Sequence, residues 1–82
     1  MSLTRRLLAA FPDAVEVHED VLEFPSGLVI GVGRRRLAVH GVPRAIEVEN
    51  GYRLRPLGET YADFATLCEA VAQYTGCEYW SP

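Results

Sequence analysis

The chain has no lysine, only two cysteines and no long apolar run, and each absence excludes a class of protein. Two cysteines are too few for a disulfide-stabilised scaffold, and they are not spaced as zinc ligands are. The apolar run that follows Arg6 stops at Pro12, so it is too short for a secretory signal or a membrane-spanning helix. We therefore expect a cytoplasmic protein that holds neither a metal nor a cofactor.

The composition that remains is that of a small globular domain. Hydrophobic residues make up 49% of the 82 residues and charged residues 23%, so residues 1–82 are expected to form one domain. All eight basic residues are arginine, and the net charge of -3 is unfavourable for non-specific binding to nucleic acid. The preference for arginine, alanine and valine over lysine, asparagine and isoleucine is typical of a GC-rich coding source, bacterial or phage.

Hydrophobic periodicity predicts an α+β fold with one helix at each end of the chain. Ser2 is placed to cap a short helix that Pro12 ends, and Thr60 to cap a longer amphipathic helix that ends at Gly76. Between them, apolar and polar residues alternate with period two, which predicts an antiparallel β-meander of four to six strands. The strands are expected near residues 15–18, 21–24, 28–32, 37–40, 46–49 and 52–55. Both helices are expected on one face of the sheet, and the aromatic tail after Gly76 is expected to pack back onto the domain.

Three turns indicate the register of the strands, because a shift of one residue would turn the apolar set of a strand outward. Residues 25–27 and 49–51 are each predicted to form a three-residue loop with a glycine in the left-handed position, and residues 33–36 to join the third and fourth strands. The facing pairs predicted from these loops are Leu22 with Ile30, Val32 with Leu37, Val48 with Tyr52 and Ile46 with Leu54. With these pairs, the apolar residues of the strands lie on one face of the sheet. Val15 and Val17 are expected on that same face.

The opposite face of the sheet is predicted to have a small apolar centre and a charged rim, as protein-binding surfaces do. In the predicted register Gly31 lies opposite Ala38, and Val29 lies opposite His40. The candidate partner-binding residues are Val29, Gly31, Ala38, His40, Arg53 and Arg55. The alternative is that a helix or the C-terminal tail covers this face.

These features favour a small non-catalytic protein-binding module over an enzyme. No serine or cysteine stands in a nucleophile motif, and the carboxylates of residues 16–23 lie at a predicted hairpin tip rather than in a pocket. Small acidic α+β proteins are common among phage and mobile-element inhibitors, so the expected partner is another protein, such as a larger host complex that the chain inhibits or regulates. Self-association as a homodimer and a small enzyme with an unrecognised site are the alternatives.

Arg34, Arg35 and Arg36 form the one dense basic cluster, and they support another alternative, a nucleic-acid-associated accessory protein. A run of three basic residues is shorter than the basic runs that nucleic-acid-binding segments usually carry. No aromatic residues alternate with these arginines, so bases would have no aromatic side chains to stack on. The two classes differ in their response to salt. Binding to phosphates weakens steeply with salt, whereas an interface built on Val29 and Ala38 would be more salt-tolerant.

Overall fold

The computed structural model describes residues 2–33, 42–55 and 59–80 of the chain. A six-stranded sheet carries two helices, one before the first strand and one after the last, which confirms the predicted α+β class. The elements in chain order are α1 Leu3–Ala10, β1 Val15–His18, β2 Val21–Glu23, β3 Val29–Val32, β4 Arg44–Val48, β5 Gly51–Arg55, β6 Thr60–Tyr61 and α2 Phe64–Thr75.

The strands lie in the sheet in the same order as in the sequence, from β1 to β6. Every neighbouring pair is antiparallel except β3 and β4, which run parallel. The predicted antiparallel meander is therefore wrong at this one ladder. A parallel pair cannot be closed by a tight turn, and residues 33–43 connect these two strands.

The predicted pairing of Val32 with Leu37 is wrong, because the backbone of Val32 already has a neighbouring segment on each side. On the β2 side its N–H donates to the carbonyl oxygen of Asp20 at 2.8 Å. On the other side it faces Ala45 of β4. The strand predicted at residues 37–40 lies outside the described residues.

The β2–β3 hairpin has the predicted register. Leu22 lies opposite Ile30, and the N–H of Phe24 donates to the carbonyl oxygen of Leu28 at 2.9 Å, so three residues form the loop. Gly27 has a φ of 88°, the left-handed conformation that such a loop requires at this position. The local sequence of the turn was sufficient to predict it.

The β4–β5 hairpin has a different register from the predicted one. The observed pairs are Ala45 with Leu54, Ile46 with Arg53, Glu47 with Tyr52 and Val48 with Gly51. Both pairs predicted here are wrong by one position, so Ile46 and Val48 lie on the face away from the helices. The reason is that Gly51 belongs to β5 and not to the loop: β6 passes so close that a Cβ on Gly51 would collide with the carbonyl oxygen of Tyr61.

One hydrophobic core fills the space between the sheet and both helices, which confirms that the helices share a face. Its buried members are Leu3, Leu7, Ala10, Phe11, Ala14, Leu22, Phe24, Ile30, Val32, Ala45, Leu54, Leu67, Cys68 and Val71. The rings of Phe11 and Phe24 meet edge to face with their centroids 5.3 Å apart. Val15 and Val17 are outside this core, because β1 is exposed along its whole length, so the prediction that they face inward is wrong.

The helix ends show one further correction. Ser2 caps α1 as predicted, and Gly76 ends α2 in the left-handed conformation with a φ of 72°. The N-cap of α2 is Asp63 rather than Thr60, which belongs to β6. The Asp63 carboxylate accepts hydrogen bonds from the hydroxyl of Thr66 at 2.7 Å and from its N–H at 2.8 Å, and these bonds hold the pKa of Asp63 below its usual range.

Arg6 joins α1 to the far half of the sheet and to α2. Its Nη1 donates a hydrogen bond of 2.7 Å to the hydroxyl of Tyr52 in β5. The guanidinium carbon lies 4.2 Å from the ring centroid of Phe64 in α2, and the rings of Phe64 and Tyr52 meet edge to face 6.0 Å apart. The half-buried cation therefore links its own helix to two further elements, through a hydrogen bond to β5 and a cation–π interaction with α2.

Gly51→Ala is expected to lower the free energy of unfolding by about 2–3 kcal/mol, the upper range of overpacking strain, because the backbone of β6 cannot swing aside. Gly27→Ala is the matched control, since Gly27 also has a positive φ but no atom would lie within 4 Å of its Cβ. The free energy of unfolding of that variant should fall by only about 1 kcal/mol, the cost of placing a Cβ in the left-handed conformation. Urea denaturation followed by circular dichroism measures both, and equal losses would show that β6 does not press on Gly51.

Arg6→Met keeps most of the aliphatic stem but removes the cation, and we expect it to cost about 1–2 kcal/mol of stability. Arg5→Met is the control, because Arg5 is exposed on the same helix, and such a change should stay within about 0.5 kcal/mol. Thermal melting of the two variants beside the parent protein tests this. An Arg6 variant as stable as the Arg5 variant would contradict the bridging role of Arg6.

Candidate functional site

The face of the sheet away from the helices does not have the smooth apolar centre that was predicted. Gly31 is buried, and a Cβ there would lie 3.2 Å from the guanidinium carbon of Arg44. Nη1 of Arg44 donates a hydrogen bond of 2.9 Å to the carbonyl oxygen of Gly33, so the side chain lies across β3. The expectation that Gly31 offers an exposed surface to a partner is therefore wrong: the absent side chain makes room for Arg44. The pairing of Gly31 with Ala38 is wrong as well, because Arg44 and Val21 are its neighbours.

The other predicted binding residues are separated by the structure. Val29 is half-buried, Arg55 is exposed and lies opposite Arg44, and Nε of Arg53 donates to the hydroxyl of Thr60 at 3.2 Å. The face of the sheet away from the helices, called the outer face below, is basic in this part, with arginines on both β4 and β5. Ala38, His40 and the alternative nucleic-acid-binding residues Arg34, Arg35 and Arg36 lie outside the described residues.

The exposed edge of the sheet at β1 is a surface that the sequence did not predict. Val15 is 59% exposed and Val17 is 52% exposed, although both are β-branched apolar residues in a strand. In the described part of the chain only β2 pairs with β1, so one edge of β1 has no neighbouring strand. The pairing with β2 is irregular between Glu16 and His18, a feature that commonly protects sheet edges.

Negative charge is concentrated around this edge. Residues 7–33 contain no arginine, and their five carboxylates are those of Asp13, Glu16, Glu19, Asp20 and Glu23. Glu16 accepts a hydrogen bond of 3.0 Å from the N–H of Asp20, and Asp20 in turn accepts one of 2.7 Å from the hydroxyl of Thr4. These bonds fix the turn between β1 and β2. The density of carboxylates was the signal that could have identified β1 as an edge strand, since inward strands rarely carry so many.

A cavity of about 400 Å³ lies where the C-terminal tail meets the start of β1. The aromatic tail packs back onto the domain as predicted: the N–H of Trp80 donates to the carbonyl oxygen of Ala10 at 2.7 Å, and Tyr79 lies against Phe11 with ring centroids 6.1 Å apart. The indole of Trp80 nevertheless stays 69% exposed. The cavity is lined by Phe11, Asp13, Phe24, Pro25, Cys77, Glu78 and Trp80.

The two cysteines lie in different environments. Both cysteines are free thiols. Burial raises the pKa of the Cys68 thiol to about 11, so this sulfur stays protonated and is a poor nucleophile at neutral pH. The half-buried thiol of Cys77 donates to the carbonyl oxygen of Thr75 at 3.6 Å. No three histidine, cysteine or carboxylate side chains in the described ranges lie together in an arrangement that holds a metal ion.

Comparison of the chain with protein-family models, with curated proteins and with solved structures gives no match. Neither of the helices in residues 2–33, 42–55 and 59–80 has the length and apolarity needed to span a membrane.

Thiol labelling checks the assigned environments of the two cysteines. In the folded protein at neutral pH, a thiol-specific reagent should modify Cys77 and leave Cys68 unmodified, because Cys68 is both buried and protonated. In urea both should react. Cys77→Ser is the control, and its folded form should show almost no reaction; rapid labelling of Cys68 in that variant would contradict its place in the core.

Proposed function

We propose that the protein is a non-catalytic binding module that takes up an extended segment of another protein as an additional strand beside β1. The observation that carries this proposal is the exposure of Val15 and Val17 on a strand whose outer edge has no neighbour among the described residues. Unpaired N–H and C=O groups along such an edge form hydrogen bonds with an incoming strand, and its exposed side chains supply apolar contacts.

The partner segment in this proposal is basic. Asp13, Glu16 and Glu23 are exposed carboxylates on or beside β1 and β2, and no arginine lies in residues 7–33, so the edge attracts positive charge. The same carboxylates disfavour pairing of β1 with a second copy of itself, because two edges of the same negative charge repel each other. We therefore favour a different protein over a homodimer.

The setting we propose follows from the size and composition of the chain. It is the cytoplasm, with a larger host complex as the protein that the module inhibits or regulates. Occupying a strand-binding position in that complex would be sufficient for inhibition, and it requires no catalytic group.

The test is selection of displayed random peptides of about ten residues, long enough to form one strand, on the immobilised protein. We expect enriched peptides in which apolar and basic residues alternate. The double variant Val15→Thr, Val17→Thr should bind them about tenfold more weakly, because each change replaces a buried methyl group of the interface with a hydroxyl. On binding, backbone amides of β1 should become protected from hydrogen exchange.

Val29→Thr is the matched control, since it makes the same chemical change on the half-buried outer face of β3. Binding should persist in this variant. Loss of binding in Val29→Thr with full binding in the double variant would show that the binding site is on the outer face. Failure to enrich any peptide would refute strand addition at β1.

A further inference from the structure

We propose that the cavity beside Trp80 binds an arginine side chain of the partner protein. This inference rests on the proposed function only in assigning the arginine to a protein. The cavity itself can be tested with a small molecule, so the two proposals can fail separately.

The composition of the cavity carries the inference. Of its seven lining residues, Asp13 and Glu78 are carboxylates, none is basic, and Phe11, Phe24 and Pro25 are apolar. An anionic ligand would be repelled by the carboxylates, and a purely apolar one would bury them without a counter-charge. A cation with an apolar stem satisfies both parts of the lining.

Trp80 distinguishes arginine from a simple point charge. Trp80 is 69% exposed, while its backbone N–H is held by the hydrogen bond to Ala10, so its indole is anchored beside the cavity and offers aromatic surface to solvent. Tryptophan is the best aromatic partner for a cation. A planar guanidinium can stack on the indole and still direct N–H groups at a carboxylate, which the compact ammonium of lysine does less well.

The position of the cavity agrees with the edge strand. Asp13 lies two residues before Val15, the first residue of β1. A segment that pairs with β1 and continues past Val15 therefore arrives at the cavity. Its arginine would fill the cavity while the strand pairs with the edge, which makes the two contacts parts of one binding surface.

The probe is N-acetyl-arginine methylamide, titrated into the whole protein. Trp80 is the only tryptophan in the chain, so its fluorescence and its indole N–H resonance report on this site alone. We expect saturable changes with a dissociation constant that is roughly millimolar, as befits one side chain. The citrulline analogue has nearly the same shape but no charge, and it should bind at least about tenfold more weakly.

The double variant Asp13→Asn, Glu78→Gln is expected to weaken arginine binding about tenfold, through two lost charge contacts. Glu49→Gln, Glu59→Gln changes the net charge equally at exposed positions outside the lining, and it should leave binding unchanged. Circular dichroism verifies that both variants are folded.

Three outcomes would overturn the inference: no saturable response to arginine, equal binding of the citrulline analogue, or equal weakening by the two double variants. The Val15→Thr, Val17→Thr protein should bind the arginine probe normally. Arginine binding without any peptide binding would refute strand addition alone, whereas peptide binding without an arginine response would refute the cavity proposal alone.

Discussion

The structure depends on the parallel contact between β3 and β4. Strands β1 to β3 form one antiparallel unit and strands β4 to β6 another, and this one ladder joins them in the sheet. Arg44 reinforces it from the outer face, because its side chain lies over Gly31 and donates to the carbonyl oxygen of Gly33. Without this contact, the helices would have two separate three-stranded units to cover instead of one continuous sheet, and the single core would be divided between them.

The two units also differ in charge. The first carries the carboxylates of residues 13–23 and no arginine, while the second carries Arg44, Arg53 and Arg55 on its outer face. A net charge of -3 hides this separation. Within residues 44–61 the glutamates Glu47, Glu49 and Glu59 balance the three arginines in number, whereas residues 13–23 carry acidic groups alone. The same separation explains why the outer face is a poor apolar docking surface.

The parts of the fold that were predicted correctly depend on local sequence. Ser2 and Gly76 act on the helix beside them, and Gly27 acts within its own three-residue loop. The errors arise where a distant segment decides. Asn50 and Gly51 have the sequence of a tight turn, but β6 needs the space above Gly51 and so moves the turn by one residue.

The candidate site was largely missed for the same reason. Val15 and Val17 alternate with polar residues as an inward-facing strand does, whereas the sheet order places β1 at the edge. Likewise, Gly31 was predicted to meet a partner protein, but the group that lies over it is Arg44 of the same chain. The packing of the tail onto the domain was predictable from its aromatic residues. The cavity beside Trp80 was not, because it depends on Asp13 and Phe24, which are far from Trp80 in the sequence.

The order of strands has a consequence for folding. Because every strand pairs with its neighbours in sequence, the sheet can grow by closing short loops, which costs little entropy. Helix α1 is different, since the contact of Arg6 with Tyr52 spans 46 positions of the chain. This contact therefore closes a longer loop than any strand pairing of the sheet does, and closing it costs more entropy.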